Sequence, residues 1–157
     1  MKLRRNKMTK IYIAADHGGY ELKEKIKNYL NKKRIGYEDF GTYDCNVKDD
    51  YPDYAVKVAQ TVAKEKHSKG ILICGTGTGM CISANKIKGI RASVIYDKYS
   101  AKKAKEDNDV NIICLRGREF SSIKAKQITD IWLNAKFSNL ARDKRRIQKI
   151  SNLEGRK

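Results

Sequence analysis

The sequence has 157 residues, of which 40% are hydrophobic and 34% are charged, and its formal net charge is +17. This length fits one domain, residues 1–157, with a sizeable core. No apolar stretch is long enough to cross a membrane. The basic start is not followed by the apolar segment of a secretory signal. We therefore expect a cytoplasmic protein in which residues 1–8 are a disordered extension, with Met8 as an alternative to Met1 as the first translated residue.

Strand and helix patterns alternate along the chain. Short apolar runs predict strands, and apolar residues three or four positions apart predict helices. In chain order the patterns predict a strand at 10–16, a helix at 20–33, a short strand ending at Phe40, a helix at 54–65, a strand at 70–74, a helix at 80–87, a strand at 90–96, a helix at 100–107, a strand at 110–115, and helices at 122–133 and 141–150.

This alternation predicts an α/β fold with a mostly parallel sheet of roughly five strands. We expect a Rossmann-like three-layer αβα sandwich that ends in a basic C-terminal helix. In such sheets ligands bind beyond the carboxyl ends of the strands. That rule indicates four places for a site, at 16–19, 74–79, 96–100 and 116–118.

The strongly basic charge indicates an anionic partner, which includes nucleic acids and phosphorylated metabolites. Basic segments at the two ends of the chain keep a nucleic-acid-binding function open as a minor alternative. The sequence has no aromatic-rich basic strand and no known nucleic-acid-binding motif. We therefore do not expect nucleic acid or a membrane to be the main partner.

The four cysteines are Cys45, Cys74, Cys81 and Cys114. None of them belongs to a Cys-x-x-Cys pair, and the chain has only two histidines. A structural zinc site needs close pairs of ligands, so we predict no metal site. In a cytoplasmic protein the default for such cysteines is the free, often buried thiol.

Residues 75–79 form a loop in which Gly75, Gly77 and Gly79 alternate with Thr76 and Thr78. Glycines allow neighbouring backbone N–H groups to point inward and form a nest for negative charge. The spacing matches neither the phosphate-binding loop of nucleotide hydrolases nor the dinucleotide fingerprint. The pattern predicts an anion-binding loop, and a tight strand-to-helix turn is the alternative.

Cys74 lies at the end of a predicted strand and directly before this loop. A thiol beside such a nest should be stabilised as a thiolate. A thiolate with an anion hole suits nucleophilic attack on an acyl group, or removal of a proton next to a carbonyl. A buried core cysteine is the alternative, and the residues alone do not choose among these.

Two further polar groups fall at predicted strand ends. Asp16 and His17 precede two glycines, which favours contact with a ligand, whereas His67 lies in a linker at the opposite edge and is expected at the surface. Arg142 and Arg146 are four residues apart and share a helix face. Together with Arg118 they form a candidate phosphate grip, and a basic tail without a defined partner is the alternative for the pair.

Five stretches carry a resemblance to a known family. They are IAADHGGYELK at 13–23, DDYPDYAVKVA at 49–59, GILICGTGTGMCISANKIKGIRA at 70–92, NDVNIICLRGR at 108–118 and ARDKRRIQKI at 141–150. In this order and spacing the chain resembles the type B ribose-5-phosphate isomerases and their galactose-6-phosphate isomerase relatives. The resemblance covers nearly the whole chain.

The resemblance implies a cofactor-free and metal-free aldose–ketose isomerase that interconverts ribose 5-phosphate and ribulose 5-phosphate through a cis-enediolate. It also implies a homodimer or homotetramer whose active sites are shared between subunits. Cys74 would be the base, and Thr76 with the loop residues Gly75, Gly77, Thr78 and Gly79 would hold the enediolate. The implied substrate contacts are Asp16, His17 and Asn108, and the implied phosphate ligands are Arg118, Arg142 and Arg146.

The sequence departs from the family where Asp107 stands in place of the usual histidine that opens the sugar ring. Asp107 could take over that acid–base role with a raised pKa, or it could be a helix-end residue without a special role. The departure also leaves open a six-carbon substrate, such as galactose 6-phosphate or allose 6-phosphate. Asp143 is a second position that is often histidine in the family.

Overall fold

A computed structural model describes residues 9–155 of the chain. Its strands are β1 (Ile11–Ala15), β2 (Tyr37–Asp39), β3 (Lys69–Cys74), β4 (Ala92–Val94) and β5 (Ile112–Arg116). Its helices are α1 (Tyr20–Lys32), α2 (Tyr51–Lys64), α3 (Thr78–Ala84), α4 (Lys98–Asn108), α5 (Ser122–Asn134) and α6 (Ala141–Ser151). The predicted extension at 1–8 and the choice of first residue lie outside the described residues.

The five strands form one sheet in the order β2-β1-β3-β5-β4, and every neighbouring pair is parallel. The inner strands are buried on both faces. In β1, Ile11 and Ile13 join one core cluster, while Tyr12 and Ala14 join the other. Successive side chains of a strand point to opposite faces, so a strand covered on both faces reads as a continuous apolar run.

Helices cover both faces of the sheet and complete the three layers. α1, α4 and α5 bury Leu30, Ala101 and Trp132 against one face, and α2 and α3 bury Val58 and Met80 against the other. α6 packs on α4. The predicted αβα sandwich is therefore confirmed. None of the helices within residues 9–155 is both long and apolar enough to span a bilayer.

The predicted elements are all present and differ from the prediction mainly at their ends. α2 begins at Tyr51 rather than at 54, because Pro52 fits the first turn of a helix, where its missing N–H is not needed. α3 spans Thr78–Ala84 rather than 80–87. The residue after it, Asn85, turns toward β4, and its side chain donates to the Ala92 carbonyl over 2.9 Å.

Candidate active site

The loops that follow β1, β3 and β5 meet at the carboxyl edge of the sheet. The backbone N–H of Asp16 donates to the Ile73 carbonyl over 3.2 Å, and that of Arg118 donates to the Gly75 carbonyl over 3.2 Å. Cys74 is the residue between these two contacts. The structure therefore places the first polar cluster, the thiol and the arginine side by side.

Cys74 ends β3 and is only 4% exposed. The backbone N–H of Gly77 donates to its Sγ over 3.2 Å, because the loop folds back over the strand end. Gly77 has a φ of +80°, and a Cβ there would lie 3.1 Å from the Leu115 carbonyl oxygen. Only glycine accommodates both the positive φ and the nearby carbonyl oxygen without strain. A donor aimed at sulfur interacts most strongly when the sulfur is charged.

A pocket of ≈ 420 Å³ lies over the glycine loop. It is lined by Gly75, Thr76, Thr78, Tyr96, Arg116, Arg118 and Glu119. The backbone N–H of Thr78 donates to Thr76 Oγ1 over 3.2 Å, which ties the two threonines together within the loop. The pocket therefore combines hydroxyl groups, backbone amides and two guanidinium groups, a set that suits a phosphorylated polyol.

A larger cavity of ≈ 460 Å³ lies at the opposite, amino edge of the sheet, with Lys69 and Arg91 in its wall. Arg91 is already paired, with Nη2 3.2 Å from Asp109. Burial lowers the pKa of Lys69 to about 8. This cavity contains no residue of the glycine loop, so we place the candidate active site at the carboxyl edge.

Arg118 lies directly over the two glycine-containing loops. A Cβ added to Gly18 would lie 3.4 Å from Arg118 Nε and 3.2 Å from the Gly75 backbone nitrogen. A Cβ on Gly75 would lie 3.5 Å from Arg118 Cδ. Small residues at both positions make room for the guanidinium beside the pocket.

Asp16 and His17 are held in different ways. Asp16 is 6% exposed, and its Oδ1 accepts the Gly19 N–H over 3.0 Å. Burial raises the pKa of Asp16, against the opposing effect of that hydrogen bond. His17 contacts Asp49 twice, since Asp49 Oδ1 lies 3.0 Å from the His17 backbone nitrogen and 2.7 Å from Nδ1.

Asp16, His17 and Asp49 also form a group that could hold a metal ion, since one ligand atom from each lies within 4.8 Å of the others. Several of those atoms already have partners in the protein. Asp16 Oδ1 accepts from Gly19, and Asp49 Oδ1 accepts from His17.

Four predicted site residues lie at the other end of the molecule. α4 begins beyond the carboxyl end of β4 and ends before β5, so Asp107 and Asn108 lie at the amino edge. α6 is held there too, because the Ser138 N–H donates to the Glu106 carbonyl over 2.9 Å. One copy of the chain thus does not bring Asp107, Asn108, Arg142 or Arg146 to Cys74.

The two arginines of α6 do converge on one point. Arg142 Nε and Arg146 Nη1 lie 3.3 and 3.5 Å from Oδ1 of Asp143, which is 1% exposed. A hydrogen bond from Ser138, and the two guanidinium groups, lower the pKa of Asp143. Asp107 Oδ1 lies 3.6 Å from Lys103 Nζ.

Comparison with known proteins identifies the family. The sequence model of the family described as Ribose/Galactose Isomerase matches residues 11–150. The ribose-5-P isomerase B of Listeria innocua is 45% identical over 129 residues, covering 82% of this chain and 86% of that protein. The chain belongs to the ribose/galactose isomerase family. It is an isomerase, and the predicted resemblance is confirmed.

Two further members of the family show its range. The D-erythrulose-4-phosphate isomerase of Pectobacterium atrosepticum is 41% identical over 130 residues, covering 83% of this chain and 86% of that protein. The crystal structure of ribose-5-phosphate isomerase B from Mycoplasma genitalium with bound ribulose-5-phosphate superposes with a TM-score of 0.90 at 38% identity, covering 95% of this chain and 98% of that one.

Sequence reasoning missed two residues of this isomerase's carboxyl edge. Asp49 lies between β2 and α2 and is the partner of His17. The ring of Tyr51 packs on the loop, since a Cβ on Gly79 would lie 2.5 Å from it. The available signal was position: both residues follow β2, whose carboxyl end belongs to the same edge as Cys74.

Proposed function

We propose that this isomerase interconverts ribose 5-phosphate and ribulose 5-phosphate through a cis-enediolate. The observation that carries the proposal is the Gly77 N–H that donates to Cys74 Sγ over 3.2 Å, with the next residue after Cys74, Gly75, in the wall of the pocket. Relatives whose names give ribose-5-phosphate isomerase activity support the five-carbon substrate.

The proposed reaction moves one proton between neighbouring carbons. Cys74, as the thiolate, removes the proton from C2 of the open-chain aldose while O1 gains a proton, which gives the enediol. O2 then loses its proton, and Cys74 returns the carbon-bound proton to C1 to give the ketose. Negative charge develops on O1 and O2, where Thr76 and the amides of Gly75–Gly79 would stabilise it.

We further propose that two copies of the chain complete each active site. Arg118 comes from the same copy as Cys74, whereas Arg142 and Arg146 lie at the opposite edge with exposed side chains. A second copy that docks its α4 and α6 ends against the pocket would add both arginines and Asn108. The separation of the two half-sites within one chain supports a homodimer or homotetramer.

A six-carbon sugar phosphate, such as galactose 6-phosphate or allose 6-phosphate, is the second candidate substrate. Asp107 in place of a histidine favours it, and the relative that acts on erythrulose 4-phosphate shows that substrates vary within the family. Ranking four-, five- and six-carbon sugar phosphates by kcat/KM decides between them. A clear preference for a six-carbon sugar would replace the five-carbon assignment.

The deciding experiment for the function is turnover of ribose 5-phosphate by the wild type, Cys74→Ser and Cys81→Ser. Cys81 is the control, because it is a partly buried cysteine in the helix that follows the same loop. We expect Cys74→Ser to lose turnover while Cys81→Ser keeps it. Normal turnover by Cys74→Ser would show that Cys74 is not the base. If the wild type does not turn over ribose 5-phosphate, the assigned substrate is wrong.

A further inference from the structure

Asp49 has no part in the chemistry described so far, yet it is built into the site. Its side chain is 9% exposed, and Oδ1 lies 2.7 Å from His17 Nδ1 and 3.0 Å from the His17 backbone nitrogen. One carboxylate oxygen therefore fixes the backbone and the ring of the same residue. The Nδ1 contact directs that side of the ring toward Asp49, and the backbone contact holds the residue that carries the ring.

The burial of Asp49 is not explained by packing. Its second oxygen, Oδ2, is buried and makes no hydrogen bond within residues 9–155, although the hydroxyls of Thr42 and Tyr54 are near the carboxylate. A buried carboxylate oxygen without a partner is unfavourable for folding. Burial opposes ionisation, but the two His17 contacts lower the pKa of Asp49, so the group remains a carboxylate.

The opposite side of the His17 ring is open. The side chain is 33% exposed, and the hydrogen bonds of His17 to residues 9–155 are made by its backbone N–H and Nδ1, not by Nε2. The next residue, Gly18, lies against Arg118 and Gly75 of the pocket wall. The charged groups around the ring are therefore Asp49 on the Nδ1 side, with Asp16 and Arg118 from the adjoining loops.

We propose that Asp49 is a positioning residue that holds the Nδ1–H of His17 and so presents Nε2 to an oxygen of the sugar phosphate. This inference rests on the proposed function and adds a residue to it. His17 touches the substrate, while Asp49 acts only through His17. The nitrogen that carries a proton is set by the hydrogen bond at the other nitrogen, so losing Asp49 should change which atom meets the substrate.

The test compares Asp49→Ala, Asp49→Asn and the control Asp53→Asn in the full chain. Asp53 is exposed and lies four residues from Asp49 in the sequence. The Asp53→Asn substitution removes the same charge. Asp49→Ala should raise KM about tenfold with kcat within about threefold, because a substrate contact is lost equally in the ground and transition states. Ribitol 5-phosphate, the reduced and non-isomerisable form of the substrate, should bind about tenfold more weakly.

Asp49→Asn is the rescue variant and also guards against misfolding. Its amide oxygen can accept from the same two N–H groups, so KM should stay within about threefold of the wild type. An Asn variant as impaired as the Ala variant would overturn positioning. A wild-type KM for Asp49→Ala would also overturn it. The same holds if KM of the control Asp53→Asn rises as much as that of Asp49→Ala.

A spectroscopic measurement reports the orientation directly. The chain has two histidines, so ¹⁵N spectra of the imidazole rings are assigned with His67→Gln. We expect the proton of His17 on Nδ1 in the wild type and mainly on Nε2 in Asp49→Ala. Retention on Nδ1 in the Ala variant would overturn the proposal. The measurement needs no turnover, so failure of the proposed function is recognised separately, by the isomerase assay.

Discussion

The backbone N–H of Gly77 donates to Sγ of Cys74 over 3.2 Å, which makes the loop and the thiol one unit. The loop cannot move without changing the environment of the sulfur. Gly77 reaches this position only with a φ of +80°. The role proposed for Cys74 therefore depends on the loop conformation as much as on the thiol.

Replacing Gly77 with alanine tests this dependence. The new Cβ would face the Leu115 carbonyl oxygen at 3.1 Å in a left-handed backbone conformation. We expect the free energy of unfolding to fall by about 1–2 kcal/mol. We also expect kcat to fall about a hundredfold, because the Gly77 N–H would move away from the sulfur. Denaturant titration and steady-state kinetics measure the two effects.

Gly89→Ala is the matched control for that variant. Gly89 has a φ of +83°, but nothing lies within 4 Å of the position of an added Cβ. Its backbone strain should lower stability by a similar amount, about 1–2 kcal/mol, with kcat unchanged. Equal loss of kcat in both variants would show that the effect is general destabilisation.

The reactivity of Cys81 gives a pH-dependent prediction. A hydrogen bond from Cys114 lowers the pKa of Cys81 to about 7, against the opposing effect of burial. The thiolate is the reactive form, so alkylation of Cys81 by iodoacetamide should rise as pH increases through about 7. Mass spectrometry of peptides measures it site by site, and a rate that is flat from pH 6 to about 8 would contradict it.

The ion pair between Lys23 and Asp39 predicts a pH-dependent stability. Lys23 is fully buried, with Nζ 2.8 and 2.6 Å from the two oxygens of Asp39. Burial opposes ionisation, but hydrogen bonds from Lys23 and Lys27 lower the pKa of Asp39 below its unfolded value. Its contribution to stability is therefore present above the unfolded pKa and is lost as pH falls through the folded pKa.

Asp39→Asn should remove that contribution. Because Lys23 would remain buried without its main partner, we expect the free energy of unfolding at pH 7 to fall by about 3 kcal/mol. The difference from the wild type should shrink as pH decreases toward 3, below the ordinary aspartate pKa of about 3.9. Urea titrations across that range measure it, and a constant difference would contradict the assignment.

The sequence was informative where one local pattern determines the structure. The apolar runs of β1 and β3 and the spacing in α1 and α5 predicted their elements to within a residue or two. The rule that ligands bind beyond the carboxyl ends of parallel strands then indicated the loops that carry Asp16, Cys74 and Arg118. These predictions work because parallel sheets have buried strands and ligand-binding loops at a single edge.

The rest depends on contacts between distant parts of the chain. Asp49 and His17 are 32 residues apart, and nothing in either local pattern indicates that they meet. Lys23 is fully buried against Asp39, and nothing in the local pattern of α1 indicates that burial. Sequence reasoning also could not show that Arg142 and Arg146 lie at the opposite edge from Cys74, because that follows from the direction of α4 and the docking of α6.

That separation gives the last prediction, a complementation test of the shared site. For the proposed homodimer, Cys74→Ser and Arg142→Ala should each be inactive or nearly so when purified alone. After unfolding and joint refolding in equal amounts, half of the dimers would be mixed, and each mixed dimer would contain one site with a wild-type Cys74 and a wild-type Arg142. Activity should therefore return to about a quarter of the wild-type value. Mixing without exchange of subunits is the control and should stay inactive. If the site were built within one chain, no mixed dimer could contain an intact site, and refolding together would restore nothing.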